Sequence, residues 1–245
     1  MSARLIGVGV GPGDPELVTV KAVRVLRESD VVVVPVADTG ELGRAERTVQ
    51  AHTDRELIRL AFALTDEGGR AAAWDAAGRA VADHVAAGAR TVAFATIGDP
   101  NIYSTFTYLA ETVRGLVPDL QVETIPGITA MQALAATSNT VLVEGRETLA
   151  LLPLTAGIDR MRTALDEYDT VVAYKGGRRI REILTAVQEA GRAGTAVYGA
   201  AIGLPNEEVR PVLAFDVHGG DEHGGAPYLS TVIATSARPG RGSKL

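Results

Sequence analysis

The sequence predicts an α/β protein of two lobes, each a mixed or mainly parallel sheet flanked by helices, and three observations carry that expectation. The chain opens as strand, helix and strand: an apolar run at 4–10, a helical pattern at 15–28 and the β-branched run Val31–Val36, long enough for a buried parallel strand. Helical and extended patterns keep alternating up to Pro118, as parallel crossovers require. Beyond Pro126 shorter extended stretches dominate, and a chain of 245 residues can fill one large domain or two lobes without external staples. The lobe boundary is expected in the segment 118–126, giving an N-terminal lobe over 1–122 and a C-terminal lobe over 123–245.

Taken in order, helical patterns at 43–52 and 67–87 lead to a strand at 90–95, and a helix at 102–114 follows. A strand at 121–125 stops at Pro126-Gly127, after which a helix runs through Ala136. In the second half, strands are expected at 149–153, 170–174, 195–198, 209–215 and 228–235, with helices at 157–167 and 178–190. The segment 219–225 and the tail 238–245 are rich in glycine and polar residues, the composition of flexible chain.

Composition removes several function classes. There is no cysteine, so disulfides, thiolate nucleophiles, Cys-ligated zinc and Cys-bound iron–sulfur clusters are excluded, and a reducing compartment suits the chain. With 24 Lys and Arg against 30 Asp and Glu the net charge is -6, which disfavours non-specific attraction to nucleic acid or to an anionic membrane. A local cluster such as Arg178, Arg179 and Arg181 still permits a small anionic ligand. No apolar run reaches the roughly 18 residues of a membrane helix, and no signal-peptide core is present. The expectation is a soluble, cytoplasmic protein.

Chemistry concentrates in three loops, each following a strand. The first, Gly7-Val8-Gly9-Val10-Gly11-Pro12-Gly13-Asp14-Pro15, is not a dinucleotide fingerprint, because Pro12 or Asp14 stands where G-x-G-x-x-G needs its third glycine. No Gly-Lys-Ser/Thr follows, so it is not a P-loop. Asp14 caps the next helix and Pro15 suits its first position. By itself this loop is either a tight turn or one wall of a ligand site. The second, Ile97-Gly98-Asp99-Pro100-Asn101-Ile102-Tyr103-Ser104, lies at a strand's carboxyl end, where open α/β sheets bind ligands. There Asp99 is either a helix cap or a ligand contact. The third, Pro126-Gly127-Ile128-Thr129-Ala130, offers first-turn amides and the Thr129 hydroxyl to a polar ligand.

The Gly7 to Asp14 loop, Gly98-Asp99-Pro100-x-x-Tyr103-Ser104 and Pro126-Gly127-Ile128-Thr129-Ala130, in this order, resemble the signature segments of the tetrapyrrole methyltransferases, which use S-adenosylmethionine. Thr148-Leu149-Ala150-Leu151-Leu152-Pro153, Val172-Ala173-Tyr174-Lys175 and Pro227-Tyr228-Leu229-Ser230-Thr231-Val232-Ile233 are similar to the branch of that family that methylates C20 of precorrin-2 in cobalamin synthesis. The resemblance implies the two-lobed tetrapyrrole methylase fold with its active site between the lobes. It implies S-adenosyl-L-methionine as methyl donor, S-adenosyl-L-homocysteine as product, a tetrapyrrole substrate and a homodimer, with no nucleic acid, membrane or metal ion as partner. Carried over by position, Pro12, Thr96, Gly98, Asp99, Ile102, Tyr103, Thr129 and Ala130 would contact the cofactor, and so would Tyr174, Ala201, Pro227, Tyr228 and Leu229 of the second lobe. For Tyr174 and Tyr228 the alternative is a buried aromatic at a strand end.

Positioning supplies most of the catalysis in this reading, since a sulfonium is intrinsically reactive and placement alone is worth about 7–11 kcal/mol. Asp99 is the candidate for steering a proton or electron density, with cofactor binding or helix capping as its alternatives. Gly11, Arg44, Lys175 and Arg178 are the candidate substrate contacts, the cations meeting tetrapyrrole carboxylates; Arg146 and Arg179 lie near loop ends as well. A solvated charge is the alternative for each cation and is the favoured reading for Arg181 and for Arg44. Enlarging or charging Gly11 is expected to abolish cofactor binding and leave the fold intact. The chain departs from the family at Ala200-Ala201, where Glu-Arg is common, and at 219–225, where Asp221, Glu222 and His223 read as a solvated loop because metal-ligand spacing is missing. A metal-free and a cobalt-containing substrate both stay open. A protein or RNA methyltransferase of the same fold and a cofactor-binding regulator are the other classes.

Overall fold

A computed structural model describes residues 2–37, 42–62, 67–215, 227, 229–240 and 242. The chain divides into two units, Met1–Thr129 and Ala130–Leu245. In the first, five parallel strands, β1 (Arg4–Gly9), β2 (Val31–Val36), β3 (Leu57–Ala61), β4 (Thr91–Thr96) and β5 (Gln121–Ile125), line up in the order β3-β2-β4-β1-β5. Side-chain alternation sorts them onto two buried faces. Leu5, Val33, Val92 and Phe94 pack against α3 (Glu67–Ala86) and α4 (Phe106–Leu116). Ile6, Val8, Val32, Val34, Ala93 and Ala95 pack against α1 (Val20–Glu28) and α2 (Arg44–Gln50). The chain leaves β1 toward β2 and leaves the adjacent β4 toward β5, so the connections part at the β1–β4 pair. That pair is the topological switch point, where open α/β sheets take their ligands.

Four local departures have physical causes. The helix expected from residue 15 starts at Val20: Pro15–Leu17 form a 3-10 turn capped by Asp14, Val18 is extended (ψ 131°), and the Thr19 hydroxyl caps α1 by accepting from Ala22 N at 3.1 Å. The helix expected from 102 starts at Phe106, because Tyr103 is held left-handed (φ 50°) and stops the helix reaching back. β3 was absent from the expected elements. The expected boundary at 122/123 falls inside β5, which is hydrogen-bonded to β1; the two units divide after Thr129.

The second unit holds a mixed sheet of β6 (Leu149–Pro153), β7 (Thr170–Tyr174), β8 (Ala196–Ala200), β9 (Glu208–Pro211) and β10 (Ser230–Thr235), ordered β6-β7-β10-β8-β9. Only β6 and β7 run parallel. Its core joins Val171, Ala173, Tyr198, Val232 and Ala234 to α6 (Ile158–Glu167) and α7 (Ile180–Glu189), while α5 (Ala130–Thr137) packs on β10. The strand expected through residue 215 ends at Pro211, and Val212–Ala214 turn as a 3-10 segment. The 219–225 stretch and Tyr228 lie outside the described residues. Among the described residues no helix is long and apolar enough to cross a membrane.

One ion pair ties the end of this unit to its beginning. The buried Glu147 carboxylate accepts from Arg238 Nε at 2.9 Å and from Arg238 Nη2 at 2.5 Å, and Nη2 also donates to Val141 O at 3.1 Å. The Arg238 hydrogen bond, supported by the Glu144 backbone amide, holds the Glu147 carboxyl below its usual range. A depressed carboxyl contributes stability that is present above its unfolded value and lost as pH falls through the folded one. Arg238→Met, which strands the buried carboxylate, is expected to cost about 3–5 kcal/mol. Urea titrations at neutral and acidic pH check this: the variant's deficit is expected to shrink once Glu147 is protonated.

Candidate functional site

The loops after β1, β4 and β5 interlock at the switch point through backbone. Gly98 N donates to Gly11 O at 2.7 Å and Val10 N to Thr96 O at 2.9 Å, joining the first two loops. Gly9, Gly98 and Gly127 then pack main chain on main chain: a Cβ on Gly9 would lie 2.6 Å from both Gly127 N and Gly98 O. A Cβ on Gly127 would lie 2.8 Å from Gly9 Cα and still closer to Gly98 O. Main-chain approach of this closeness, with no Cβ in between, is available to glycine alone. Asp99 bolts the third loop to the second, since Oδ2 accepts from Gly127 N at 3.0 Å and Oδ1 from Asn101 N at 2.8 Å. Both carboxylate oxygens therefore serve backbone amides.

The same crossing leaves a vacant side. Gly98 is left-handed (φ 69°), and a Cβ there would meet nothing within 4 Å. This is open space over exposed main chain, bordered by residues of the same two loops. Thr96 is buried and its hydroxyl is 3.0 Å from Ser104 Oγ, which also accepts from Phe106 N at 3.1 Å. Ile102 is half-buried, Tyr103 is 42% exposed on its left-handed backbone, Pro12 is buried and Thr129 is buried. The structure thus brings Gly11, Gly98 and Asp99 directly together, with Pro12, Thr96, Ile102 and Tyr103 in the same loops. Gly11 is less clean a probe than its sequence suggested: it is left-handed (φ 74°) and a Cβ would press to 3.0 Å on Leu17 O, so any side chain there disturbs the loop itself.

In the second unit, the Tyr174 hydroxyl accepts from Met131 N at 2.8 Å, occupying an otherwise orphaned amide in the first turn of α5. Lys175 follows on a left-handed backbone (φ 59°), half-buried, and burial holds its ammonium below the usual lysine range. Ala201 is left-handed (φ 50°) and buried where β8 ends, its carbonyl accepting from Leu204 N at 2.9 Å. Tyr103, Lys175 and Ala201, three of the expected contacts, are left-handed non-glycine residues, as is Asn139. Ala130 opens α5, Pro227 is exposed and Leu229 is 42% exposed. Arg146 is exposed and Arg179 pairs with Glu182 at 3.3 Å.

Arg44 stands at the head of α2, half-buried; its carbonyl accepts from the Thr48 hydroxyl at 3.1 Å, while its guanidinium shows no ion pair among the described residues. Burial, and then the Arg47 charge, hold its guanidinium below the usual arginine range. An unsatisfied cation of this kind suits an anion. Sequence reasoning missed two residues on the same helix side, Thr48 and His52, and missed Gly9 and Gly127 as mutual neighbours. The polar spacing 44, 48, 52 was the available signal for the first pair. It also passed over Ser230, whose buried hydroxyl at the start of β10 has no hydrogen-bond partner among the described residues.

A precorrin-2 C(20)-methyltransferase from Sinorhizobium sp is 35% identical over 241 residues, 94% of this chain and 94% of that protein. A cobalt-precorrin-2 C(20)-methyltransferase from Salmonella typhimurium is 28% identical over 95% of this chain and 96% of its own length. Among solved structures, uroporphyrin-III C-methyltransferase from Thermus thermophilus, complexed with S-adenosyl homocysteine, superposes with a TM-score of 0.66 at 21% identity, covering 95% of this chain and 97% of that one, which shows a shared fold. The family model for tetrapyrrole (corrin/porphyrin) methylases matches residues 4–217, spanning all three glycine-bearing loops and both sheets up to β9. The chain belongs to the tetrapyrrole methylase family.

Proposed function

We propose that this chain transfers a methyl group from S-adenosyl-L-methionine to C20 of precorrin-2, giving precorrin-3A for cobalamin synthesis. The observation that carries the reading is the open space over left-handed Gly98 at the switch point, a cradle that a Cβ would fill. The Sinorhizobium relative supports the substrate, and the solved Thermus thermophilus complex supports the donor. When bound, the donor supplies a sulfonium-activated methyl group.

The chain's own part is to hold and align. Gly98 and Pro12 present main chain and an apolar wall, Thr96, Ile102, Tyr103, Thr129 and Ala130 contact the cofactor, and Tyr174, Ala201, Pro227, Tyr228 and Leu229 are the second unit's contacts in this reading. Gly11, Arg44, Lys175 and Arg178 take the substrate, the three cations meeting its carboxylates. Asp99 fixes the third loop, and its occupied oxygens favour positioning over proton transfer. Asp99→Asn is therefore expected to raise the KM for S-adenosylmethionine while kcat at saturation stays within about threefold; a proton-transfer role would instead cost about a hundredfold in kcat. The reading takes the protein to be a cytoplasmic homodimer, which sedimentation at working concentration tests.

The Salmonella typhimurium relative favours a second substrate, cobalt-precorrin-2, for the same site. Transfer of labelled methyl from S-adenosylmethionine to precorrin-2 and, in parallel, to cobalt-precorrin-2 decides between them. Binding of S-adenosylhomocysteine with no transfer to either would make the chain a cofactor-binding regulator.

A further inference from the structure

We propose that Thr48 and His52 are positioning residues for the first glycine loop: they touch no reacting group, and they set cofactor affinity by holding the loop from behind. The proposal rests on the reading that this loop borders the cofactor. Thr48, fully buried in α2, donates to Gly13 O at 3.2 Å and shares the same hydrogen with Arg44 O at 3.1 Å. His52, just past the helix end, meets Pro15 O at 2.8 Å through Nε2. A carbonyl only accepts, so Nε2 carries the hydrogen, and it does so in the imidazolium as well as in that neutral tautomer.

The loop needs such a brace. Gly11 and Gly13 both have positive φ (74° and 150°), so the stretch lacks the conformational restriction that side chains supply. Its front is held by Gly98 N on Gly11 O, at 2.7 Å. Its back is held by two side chains four residues apart, Thr48 on α2 and His52 just past its end, with Ala45 and Val49 of the helix sunk in the core. Gly11 and Pro12 are thus suspended between a partner loop and a rigid helix. Removing the rear bonds frees the loop to drift away from Gly98 while the strands and their cores stay packed.

The test is calorimetric titration of the full chain with S-adenosylhomocysteine, with thermal unfolding measured alongside. Thr48→Val keeps the side-chain volume and deletes the donor; His52→Leu does the same at a half-buried position and carries the test should Thr48→Val not fold. Each is expected to weaken binding about fivefold, the effect of one net hydrogen bond, and the pair together about twentyfold. Thr48→Ser and His52→Gln, which retain a donor, are expected to bind within about twofold of the unchanged chain. Where precorrin-2 turns over, the two deletions are expected to raise the KM for S-adenosylmethionine and leave kcat in place. Unchanged affinity in Thr48→Val and His52→Leu overturns the proposal, as does a loss that Ser and Gln fail to restore, since packing would then be responsible. Gly98→Leu is the control for the reading beneath it: if that variant also binds normally, the cofactor reading itself is wrong, whereas its loss beside intact Thr48→Val binding overturns the brace alone.

Discussion

Gly127→Ala is expected to destabilise the first unit by about 3 kcal/mol or more, with a fall of about 10 °C in its melting temperature and loss of S-adenosylhomocysteine binding. The added methyl has no flexible neighbour to push aside. It would sit 2.8 Å from Gly9 Cα, in main chain fixed by the β1–β4 ladder, and closer still to Gly98 O, in main chain held by the Gly98 amide on Gly11 O. Relief requires the third loop to lift, which breaks the Gly127 amide bond to Asp99 at 3.0 Å and uncovers Gly9 and Gly98 together. Calorimetric unfolding of the variant measures the loss. A melting temperature within a degree of the unchanged chain would mean that the loops do not lie as close as described.

Gly98→Leu is expected to do the opposite: to keep the fold and lose at least about a hundredfold in affinity for S-adenosylhomocysteine. The left-handed backbone at Gly98 penalises any L side chain by about 1–2 kcal/mol, a modest part of a domain's usual 5–15 kcal/mol. No atom opposes the new side chain within 4 Å of its Cβ, so it enters the open space freely and occupies it. Circular dichroism and ligand titration separate the two effects. Neighbouring glycines in one crossing thus answer to different readouts, Gly127 to heat and Gly98 to ligand.

How much of this was legible in the sequence follows the range of each interaction. The strands β1, β2 and β4 announce themselves because they lie inside the sheet and their residues are apolar almost throughout, whereas β5, an exposed edge, is read from its stop at Pro126-Gly127. β3 does not, because it is a sheet edge interrupted by Arg59, a residue whose guanidinium reaches the buried Glu46 carboxylate of α2 at 2.9 Å. That charge reads as a loop until its partner is in place. The glycines and Asp99 of the site were legible from local spacing, since a strand–loop–helix junction restricts its residues within a few positions. The late start of α4 was not, because nothing in the composition of residues 101–105 marks Tyr103 as left-handed. Thr48 and His52 escaped for a related reason: their bonds to Gly13 and Pro15 join residues more than thirty positions apart, so the polar spacing 44, 48, 52 does not reveal its partners.

The glycine crossing also sets a clock on biosynthesis. Gly9 leaves the ribosome early, Gly98 only after three further strands, and Gly127 after β5 has been made. A nascent chain halted after β4 has two of the three loops and most of the first sheet, yet no main chain to close over Gly9 and no amide for Asp99 to grip. On the reading that these loops border the cofactor, capture is expected only once the last strand of the first sheet has emerged.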